Sequence, residues 1–495
     1  MASICTSNVT SGFIDLATFD EIEKYLYGGP DATAYFVRET RKATWFTQVP
    51  VVLSRASGTP AFGQEWSVQI SRAGDYLLQT WLRLQTPAVT LLTANQFGTN
   101  GRLRWTRNFM HNIVRECCLT FNDLVAARFD NYHLDFWAAF TVPAGKQIGY
   151  ANMIGNTDDL TSEYAPGSSI PSAILNLPLP FFYSRDSGVA LPTAALPYND
   201  MRINFSFRNW SELLVLENPA ASGSVASSYR VVPVVGQDIP STPELGTTNV
   251  WANYAIVSND ERKRMACAPR DILIEQVQTA PRQNFSTTAN GANYDIRFSH
   301  AIKVLFFAVR NTTFSNEWSN YTTASPVAGF TLCNFNPILA YDPIDNTSLI
   351  YENTNRLAAM GSDYFSLVNP YYCAPVIPID TGYHMYSYSL DFISLDPMGS
   401  TNYGKLTNVM LVPVPSKSAV SGAAGQGIPS SGQAYPQSFE FVVTCVNNNI
   451  IRVSGGALGF KGKPKTGRCF NGCMVTIKDK HCKPYISYNM ISTAA

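Results

Sequence analysis

Short stretches in which apolar and polar residues alternate with a period of two constrain the fold of this chain most strongly. They are MRINFSF at Met201–Phe207, YDIRFSH at Tyr294–His300, YSYSLDF at Tyr386–Phe392 and FEFVVTC at Phe439–Cys445. Because successive side chains of a strand point to opposite faces, each stretch predicts an antiparallel strand with one wetter face. Pro, Gly, Asn and Ser clusters separate these stretches, with 30 Pro and 32 Gly in all. Many short strands joined by such turns predict an all-β sandwich or barrel.

The length of the chain predicts more than one domain. It has 495 residues, whereas single hydrophobic cores stop growing at about 250–300 residues. A Gly-, Ser- and Pro-rich segment lies in the middle, and we interpret 217–259 as a connection between two β-rich halves. A second low-complexity segment, 415–437, is interpreted as a long surface loop. Pro178 and Pro180 predict an edge strand or an extended connection, because proline cannot donate to a β ladder.

Two helices are predicted from the sequence. In TFDEIEKYLYGGP, Thr18 stands three residues before Glu21, which is a capping-box spacing, and Gly28 to Pro30 would end the helix. This helix, Thr18–Tyr27, is too short to be stable alone and must pack against something. A second helix is predicted within Leu124–Phe140.

The surface is predicted to be poor in charge. Charged residues make up 15 % and aromatic residues 12 % of the chain, against about 25 % charged residues in an ordinary soluble domain. One interpretation is a neutral polar surface on a monomer. The other is a surface buried against further protein chains, since interface cores are depleted in charge and enriched in aromatic residues.

The net charge is zero but unevenly distributed. The segment 461–495 carries seven basic residues and one acid, so that it is +6 and the rest of the chain is −6. A body at −6 does not have the charge of a nucleic-acid-binding protein. No apolar run approaches the roughly 20 residues that span a bilayer. The N-terminus lacks the basic and apolar regions of a secretory signal.

The ten cysteines are predicted to be thiols. With no signal sequence, we expect a reducing compartment, and most of these cysteines should be small framework residues with no disulfide needed for folding. One group in the basic tail has candidate zinc ligands with the spacing C-x3-C-x7-H-C: Cys469, Cys473, His481 and Cys482. This spacing is not a common one for zinc. The alternative is an unstructured tail with incidental thiols.

Catalytic motifs were not found. The sequence has no G-x-S-x-G, no phosphate-binding loop, no H-E-x-x-H and no calcium loop. His133 and Asp135 in HLD could form an oriented imidazole, although a polar residue of a helix or turn is the plainer interpretation. We therefore predict no enzymatic activity, no catalytic residues and no cofactor.

Several independent segments carry a resemblance to a known family. They include NVTSGFIDLATFDEIEKYLYGG, RNFMHNIVRECCLTFNDL, LPLPFFYSRDSGVALPTAALPYNDMRINF and NNNIIRVSGGALGF. These resemble the major capsid proteins of iridoviruses, most closely those that infect invertebrates, and the similarity extends over 8–460. The wider family comprises capsid proteins of large cytoplasmic DNA viruses.

The resemblance implies an all-β fold: two tandem eight-stranded antiparallel jelly rolls, a double jelly roll, with short helices in an N-terminal arm and in loops. The expected domains are the arm at 1–35, the first jelly roll at 36–216, the linker at 217–259, the second jelly roll at 260–460 and the basic tail at 461–495.

The resemblance also implies self-assembly. The chain would form a pseudo-hexameric homotrimer, and these capsomers would tile an icosahedral shell around an inner membrane. Its partners would be itself, neighbouring capsomers, minor capsid proteins and, through the arm or the tail, the viral membrane, with no sequence-specific nucleic acid. The protein would lie in the virion and assemble in the host cytoplasm.

The sequence leaves open an alternative function and the role of the tail. A lectin-like carbohydrate-binding β-sandwich is the alternative function, and it would need an exposed aromatic platform or a calcium-binding carboxylate cluster. The tail departs from the family pattern, which gives it no role. It could be an end without a partner, contact the membrane or an inner protein, bind zinc, or bind DNA.

Overall fold

The computed structural model describes residues 2–460, except 31, 39, 41, 222–224, 268, 289, 324–341, 426–435 and 455–456. The chain divides into two compact units, 1–45 and 46–495. The second unit contains two β-rich parts, which we call the first half (46–258) and the second half (259–460).

The first unit contains the helices α1 (Ala2–Ala17) and α2 (Glu21–Tyr27). The predicted cap at Thr18 is wrong by two residues. Asp20 caps α2, since its carboxylate accepts from the Glu21 backbone N–H and its own N–H donates to Glu23. The Thr18 hydroxyl instead donates to the carbonyl of Asp15, 2.6 Å away, at the end of α1. Thr18 and Asp20 are both good capping residues, and the true capping box is Asp20 with Glu23.

The strands of the first half are β1 (Phe46–Val52), β2 (Ser54–Gly58), β3 (Glu65–Gln69), β4 (Tyr76–Gln85), β5 (Val89–Thr90), β6 (Arg102–Trp105), β7 (Val114–Phe121), β8 (Leu124–Asp130), β9 (Ser169–Ile170), β10 (Ile174–Pro178), β11 (Met201–Phe207), β12 (Leu214–Glu217), β13 (Arg230–Val231) and β14 (Thr248–Val257). They form sheets with the orders β1-β14-β4-β10, β2-β3-β11-β7-β8, β13-β12-β6 and β5-β9. Pro178 ends the edge strand β10, as its missing N–H predicts.

The strands of the second half are β15 (Arg270–Thr279), β16 (Gln283–Asn284), β17 (Tyr294–Asp295), β18 (Ala301–Asn311), β19 (Ile344–Tyr351), β20 (Thr354–Gly361), β21 (His384–Ser387), β22 (Thr401–Asn402), β23 (Val409–Pro415), β24 (Phe439–Ser454) and β25 (Ala457–Phe460). One sheet has the order β15-β24-β18-β21, with β16, β22 and β25 attached, and the other is β17-β23-β19-β20. All pairs between these named strands are antiparallel.

The remaining α-helices of the described chain are short. They are α3 (Phe109–Ile113), α4 (Asn131–Thr141), α5 (Gln147–Ile154), α6 (Asp158–Thr161), α7 (Asn259–Cys267), α8 (Asn369–Cys373) and α9 (Lys417–Ala423). The helix predicted within Leu124–Phe140 is therefore correct only in its second part. The first part is β8, and the Asp130 carboxylate caps α4 by accepting from the His133 backbone N–H at 3.0 Å. The segment interpreted as a surface loop, 415–437, begins with α9.

The linker interpretation of 217–259 is wrong at its C-terminal end. Strand β14 lies within that range, hydrogen-bonded to β1 on one side and to β4 on the other. Val250, Ala252 and Tyr254 are buried in the core of the first half. A long irregular segment, rich in Gly and Pro, precedes this strand. The composition of that segment led us to assign the strand to the linker, although its apolar and polar residues alternate.

Of the stretches with alternating apolar and polar residues, some form the predicted strand and others only part of it. Strand β11 is confirmed, with Met201, Ile203, Phe205 and Phe207 buried and the residues between them half-buried. The strand predicted at Tyr386–Phe392 ends at Ser387. Leu390, expected on its apolar face, is 78 % exposed.

Strand β24 has two buried faces rather than one. Phe439, Phe441, Val443 and Cys445 pack in the core of the second half. Val442 and Val446 belong to the other core, which also contains the interior of the first half. The neighbouring strand β18 divides in the same way. The sheet that contains β18 and β24 therefore packs on both of its faces, and the two halves share a continuous interior.

Candidate functional site: the seam between the two halves

The contact between the two halves, which we call the seam, is built first from aromatic packing on β18. Phe306 points from β18 toward α4, where its ring stacks on Phe136 at 5.9 Å and on Phe140 at 5.4 Å between centroids. All three side chains are fully buried. Burying a side chain of this size contributes about 1.5–3 kcal/mol. The seam is therefore core-like and holds the halves as one body.

A buried network of four charges crosses the seam. Arg104 on β6 contacts Glu217 at 2.9 Å and Glu317 at 2.7 Å. Arg230 on β13 contacts the same carboxylates at 2.8 Å and 3.0 Å. Burial alone would raise the pKa of the Glu317 carboxyl, but the charges and hydrogen bonds of Arg104 and Arg230 hold it below its ordinary value. Two guanidinium groups thus balance two carboxylates in a site that excludes water.

Trp318 of the second half is inserted into the first half. Its indole N–H donates to the carbonyl of Glu212 at 2.9 Å, and its backbone N–H donates to the Thr106 hydroxyl at 3.2 Å. The guanidinium carbons of Arg208 and Arg310 lie 3.6 Å and 3.7 Å from its ring centre. Burial lowers the pKa of Arg208 to about 10, which leaves it charged at neutral pH. Such cation–π contacts are strongest where water is excluded.

A third polar group of the seam is centred on Glu275 of β15. It accepts from the Lys303 ammonium at 2.6 Å and is paired with Arg185 of the first half. Lys303 also donates to the carbonyl of Ser394, and Arg185 lies 3.8 Å from the ring centre of Trp137. Every charge in this group is buried with a partner, so the group fixes the register of the two halves.

Asp135 is the fourth polar centre, and its partner is not the predicted one. It accepts from Ser319 at 2.7 Å and Tyr321 at 2.8 Å, and His111 Nδ1 lies 2.7 Å away. His133 is not bonded to Asp135, and its Nδ1 has no partner. Burial and the nearby Arg185 charge lower the pKa of His133 to about 3. The HLD sequence therefore does not form an oriented imidazole pair.

One buried Ser, His and Asp group has the composition of a catalytic triad but not its geometry. Ser362 Oγ lies 2.7 Å from His384 Nε2, and Asp342 Oδ2 lies 2.9 Å from the same nitrogen. In a nucleophilic triad the serine and the carboxylate bind opposite ring nitrogens. His384 Nδ1 has no partner, and the histidine is fully buried. This geometry suits a structural hydrogen-bond cluster.

The zinc hypothesis concerns a part of the chain outside the described residues. Cys469, Cys473, His481 and Cys482 all lie beyond residue 460, so their role stays a prediction. Within the described part, no group of three or more His, Cys, Asp or Glu side chains could hold a metal ion. Of the framework cysteines, Cys117 and Cys445 are buried thiols, and Cys118 and Cys373 are partly exposed thiols. In the same part, no helix is long and apolar enough to cross a membrane.

Sequence reasoning missed the charged residues of the seam. Lys303 interrupts an otherwise apolar strand, AIKVLFFAV, and Glu217 ends the apolar run LLVLE. A lone charge inside such a run is a signal of a buried ion pair, because charges are almost never buried without partners. The identity of the partners could not be read, since they are distant in sequence.

Large apolar side chains also remain on the surface of the second unit. Among the described strands, the edge strand β1 pairs with β14 alone, and it is exposed along almost its whole length, with Phe46 53 % exposed. Ile148, Tyr198, Tyr371, Tyr372 and Leu390 are each more than two-thirds exposed. Exposed apolar patches and unpaired strand edges are typical of surfaces that bind other protein chains.

Comparisons with known proteins agree with this architecture. Two family profiles match: "Major capsid protein N-terminus" over residues 34–257 and "Large eukaryotic DNA virus major capsid protein" over residues 261–459. The major capsid protein of Invertebrate iridescent virus 6 is 68 % identical over 467 residues, covering 92 % of this chain and 99 % of that protein.

Solved structures show the same fold. The capsid structure of PBCV-1 superposes with a TM-score of 0.67 at 19 % identity, over 87 % of this chain and 100 % of that chain. The Faustovirus major capsid protein gives 0.64 at 11 % identity, over 92 % and 99 %. The two halves are thus the two jelly rolls of a double jelly roll, and the predicted fold class is confirmed. The chain belongs to the major capsid protein family of large eukaryotic DNA viruses and resembles the iridovirus members, including those that infect invertebrates.

Proposed function

We propose that this protein forms the capsid shell of a large DNA virus by assembling as homotrimers. Its role as a major capsid protein follows from its family. The observation that supports a trimer is that two firmly joined jelly rolls leave large apolar side chains and a strand edge exposed on their surface. The seam fixes two jelly rolls as one block, while edge strand β1 and several large apolar side chains stay exposed.

Three copies of a double jelly roll present six similar sandwiches around one axis. Such a capsomer has a nearly sixfold outline, which allows it to tile a surface with repeated edge contacts. Stable interfaces bury about 1,200–2,000 Å² in total. A chain with 15 % charged residues can form several such interfaces without burying many unpaired charges.

The proposed domains are those expected from the sequence, except that β14 belongs to the first jelly roll and not to the linker. The arm occupies 1–35, the first jelly roll extends to the end of β14, the second jelly roll occupies 260–460 and the tail 461–495. We propose that the arm and the basic tail contact minor capsid proteins or the inner viral membrane. The protein would act as part of the virion and assemble in the host cytoplasm, and no enzymatic step is required for this role.

The lectin-like alternative is not favoured. It required an aromatic platform or a carboxylate cluster for calcium. In the described part of the chain, the exposed pair Tyr371 and Tyr372 meets edge to face at 86° rather than forming a flat platform. No group of three or more His, Cys, Asp or Glu side chains among the described residues could hold a metal ion.

Electron microscopy of the purified protein tests the proposal. We expect three-lobed particles with a nearly hexagonal outline that associate laterally into sheets or shells. A variant lacking residues 1–35 should retain the three lobes but associate laterally less well. Single two-lobed particles at every protein concentration would contradict the proposal.

A further inference from the structure

A cleft of about 620 Å³ lies beside α4 and α5, and we call it the α4–α5 cleft. Its walls are mostly apolar: Leu134 and Trp137 from α4, Met153 from α5, and Pro178 to Pro180 at the end of β10. Its volume falls in the range of about 300–1,000 Å³ that is typical of small-molecule sites.

Polar side chains, among them Ser184, Lys146 and Arg185, line the same cleft, and none of its lining residues is a carboxylate. The Ser184 hydroxyl is buried and has no hydrogen-bond partner. Lys146 is exposed and has no ion-pair partner among the described residues, whereas Arg185 is paired with Glu275. A buried hydroxyl without a partner costs stability, so a ligand that accepts its hydrogen bond would gain affinity.

We propose that the α4–α5 cleft binds a long-chain fatty acid. The alkyl chain would lie along the apolar walls between Trp137 and Met153. The carboxylate would accept a hydrogen bond from Ser184 and face the ammonium group of Lys146. Lys146, which has no ion-pair partner among the described residues, and a lining without carboxylates favour an anionic head group over a cationic or zwitterionic one. This inference does not depend on the proposed trimer.

The mouth of the cleft allows entry. Gly149 on α5 lines it, and a Cβ atom added there would meet no heavy atom within 4 Å. Its neighbour Ile148 is 80 % exposed. A larger side chain at Gly149 would meet no clash at its Cβ, so a bulky substitution at this lining position gives a variant for blocking the cleft that should fold.

Calorimetric titration of the intact protein with palmitate, below its micelle concentration, tests the proposal. We expect saturable binding of one palmitate per chain, weaker binding of uncharged methyl palmitate, and loss of binding in Gly149→Phe. Lys146→Glu and Ser184→Ala should each weaken binding about fivefold, as for the loss of one exposed ion contact or one hydrogen bond. The control Lys405→Glu, an exposed lysine outside the cleft, should bind as the unsubstituted protein does.

Thermal unfolding of each variant checks that it is folded. Absence of saturable binding would overturn the proposal, as would binding that Gly149→Phe and Lys146→Glu leave unchanged, since that would be binding elsewhere. Equal affinity for palmitate and methyl palmitate would overturn the assignment of an anionic head group. Binding only after the oligomer is dissociated would also overturn it, because the cleft would then be filled by a second copy of the chain.

Discussion

The guanidinium carbon of Arg208, in the first jelly roll, lies 3.6 Å from the ring centre of Trp318, in the second. The same ring has Arg310 at 3.7 Å, and its N–H is bonded to the backbone of the first jelly roll. One side chain of the second domain is thus bonded to the first. This relationship explains why the seam is packed like a protein core, so that the two domains are not expected to move relative to each other.

Replacing Trp318 with alanine should weaken the seam strongly. The substitution leaves a cavity, removes two cation–π contacts and frees a backbone carbonyl, so we expect a loss of about 3–5 kcal/mol in the free energy of unfolding. Denaturant unfolding followed by circular dichroism measures it. Trp45→Ala, at an 85 % exposed position, is the control and should change the unfolding midpoint little. An unchanged midpoint for Trp318→Ala would contradict the description of the seam.

Replacing Glu317 with glutamine should destabilise the protein through an unbalanced charge. Arg104 and Arg230 would then share a single carboxylate, Glu217, in a buried site. Removing one partner of a buried ion pair costs about 3–5 kcal/mol. The control Asp295→Asn breaks an exposed pair with Arg297 and should cost less than about 1 kcal/mol. Similar midpoints for the two variants in thermal unfolding would argue against an energetically important network.

Stability should fall in mild acid because of His133. Its folded-state pKa of about 3 lies below the ordinary value of 6.5, since burial and Arg185 disfavour the charged form. The unfolded chain therefore takes up a proton first. The stabilisation is complete above pH 6.5 and is lost progressively as the pH falls toward 3, by about 5 kcal/mol at most.

The pH dependence can be assigned with a variant. Phenylalanine at position 133 fills a similar volume and cannot take up a proton, so His133→Phe should flatten the decline between pH 6.5 and 4. Unfolding midpoints measured at several pH values give the comparison. Parallel curves for the two proteins between pH 6.5 and 4.5 would contradict the assignment to His133, because Glu317, whose pKa is lowered from 4.5, removes stability only below pH 4.5.

How far the sequence predicted the structure depended on the range of the interactions. Strand β11 was predictable because one of its faces is more exposed than the other. Strand β24 was predicted with one apolar face, but its second buried face depends on packing against the other half. The helix cap was misplaced because Thr18 and Asp20 are both capable caps and only the geometry decides. The partners of Trp318 in the first jelly roll lie about 100–200 residues away, which no local pattern can reveal.

The basic tail should make binding sensitive to salt. Its net charge of +6 attracts anionic surfaces, and this attraction is screened beyond about 10 Å at 0.1 M salt. Co-sedimentation of the intact protein and a 1–460 variant with anionic liposomes, and separately with DNA, measures the effect. We expect liposome binding by the intact protein at low salt only. Equal sedimentation of the two forms would contradict an electrostatic role of the tail.

The zinc hypothesis has its own test. Elemental analysis that finds no stoichiometric zinc in the purified protein would contradict a metal site at Cys469, Cys473, His481 and Cys482.

The mass of the purified protein in solution, measured by light scattering during dilution, tests self-assembly most directly. The account predicts a species of about three times the 54.5 kDa chain mass that persists on dilution into the nanomolar range. Its exposed apolar side chains, including Phe46 and Tyr371, should become protected from solvent in that species. A stable monomer of 54.5 kDa at all concentrations would contradict the account.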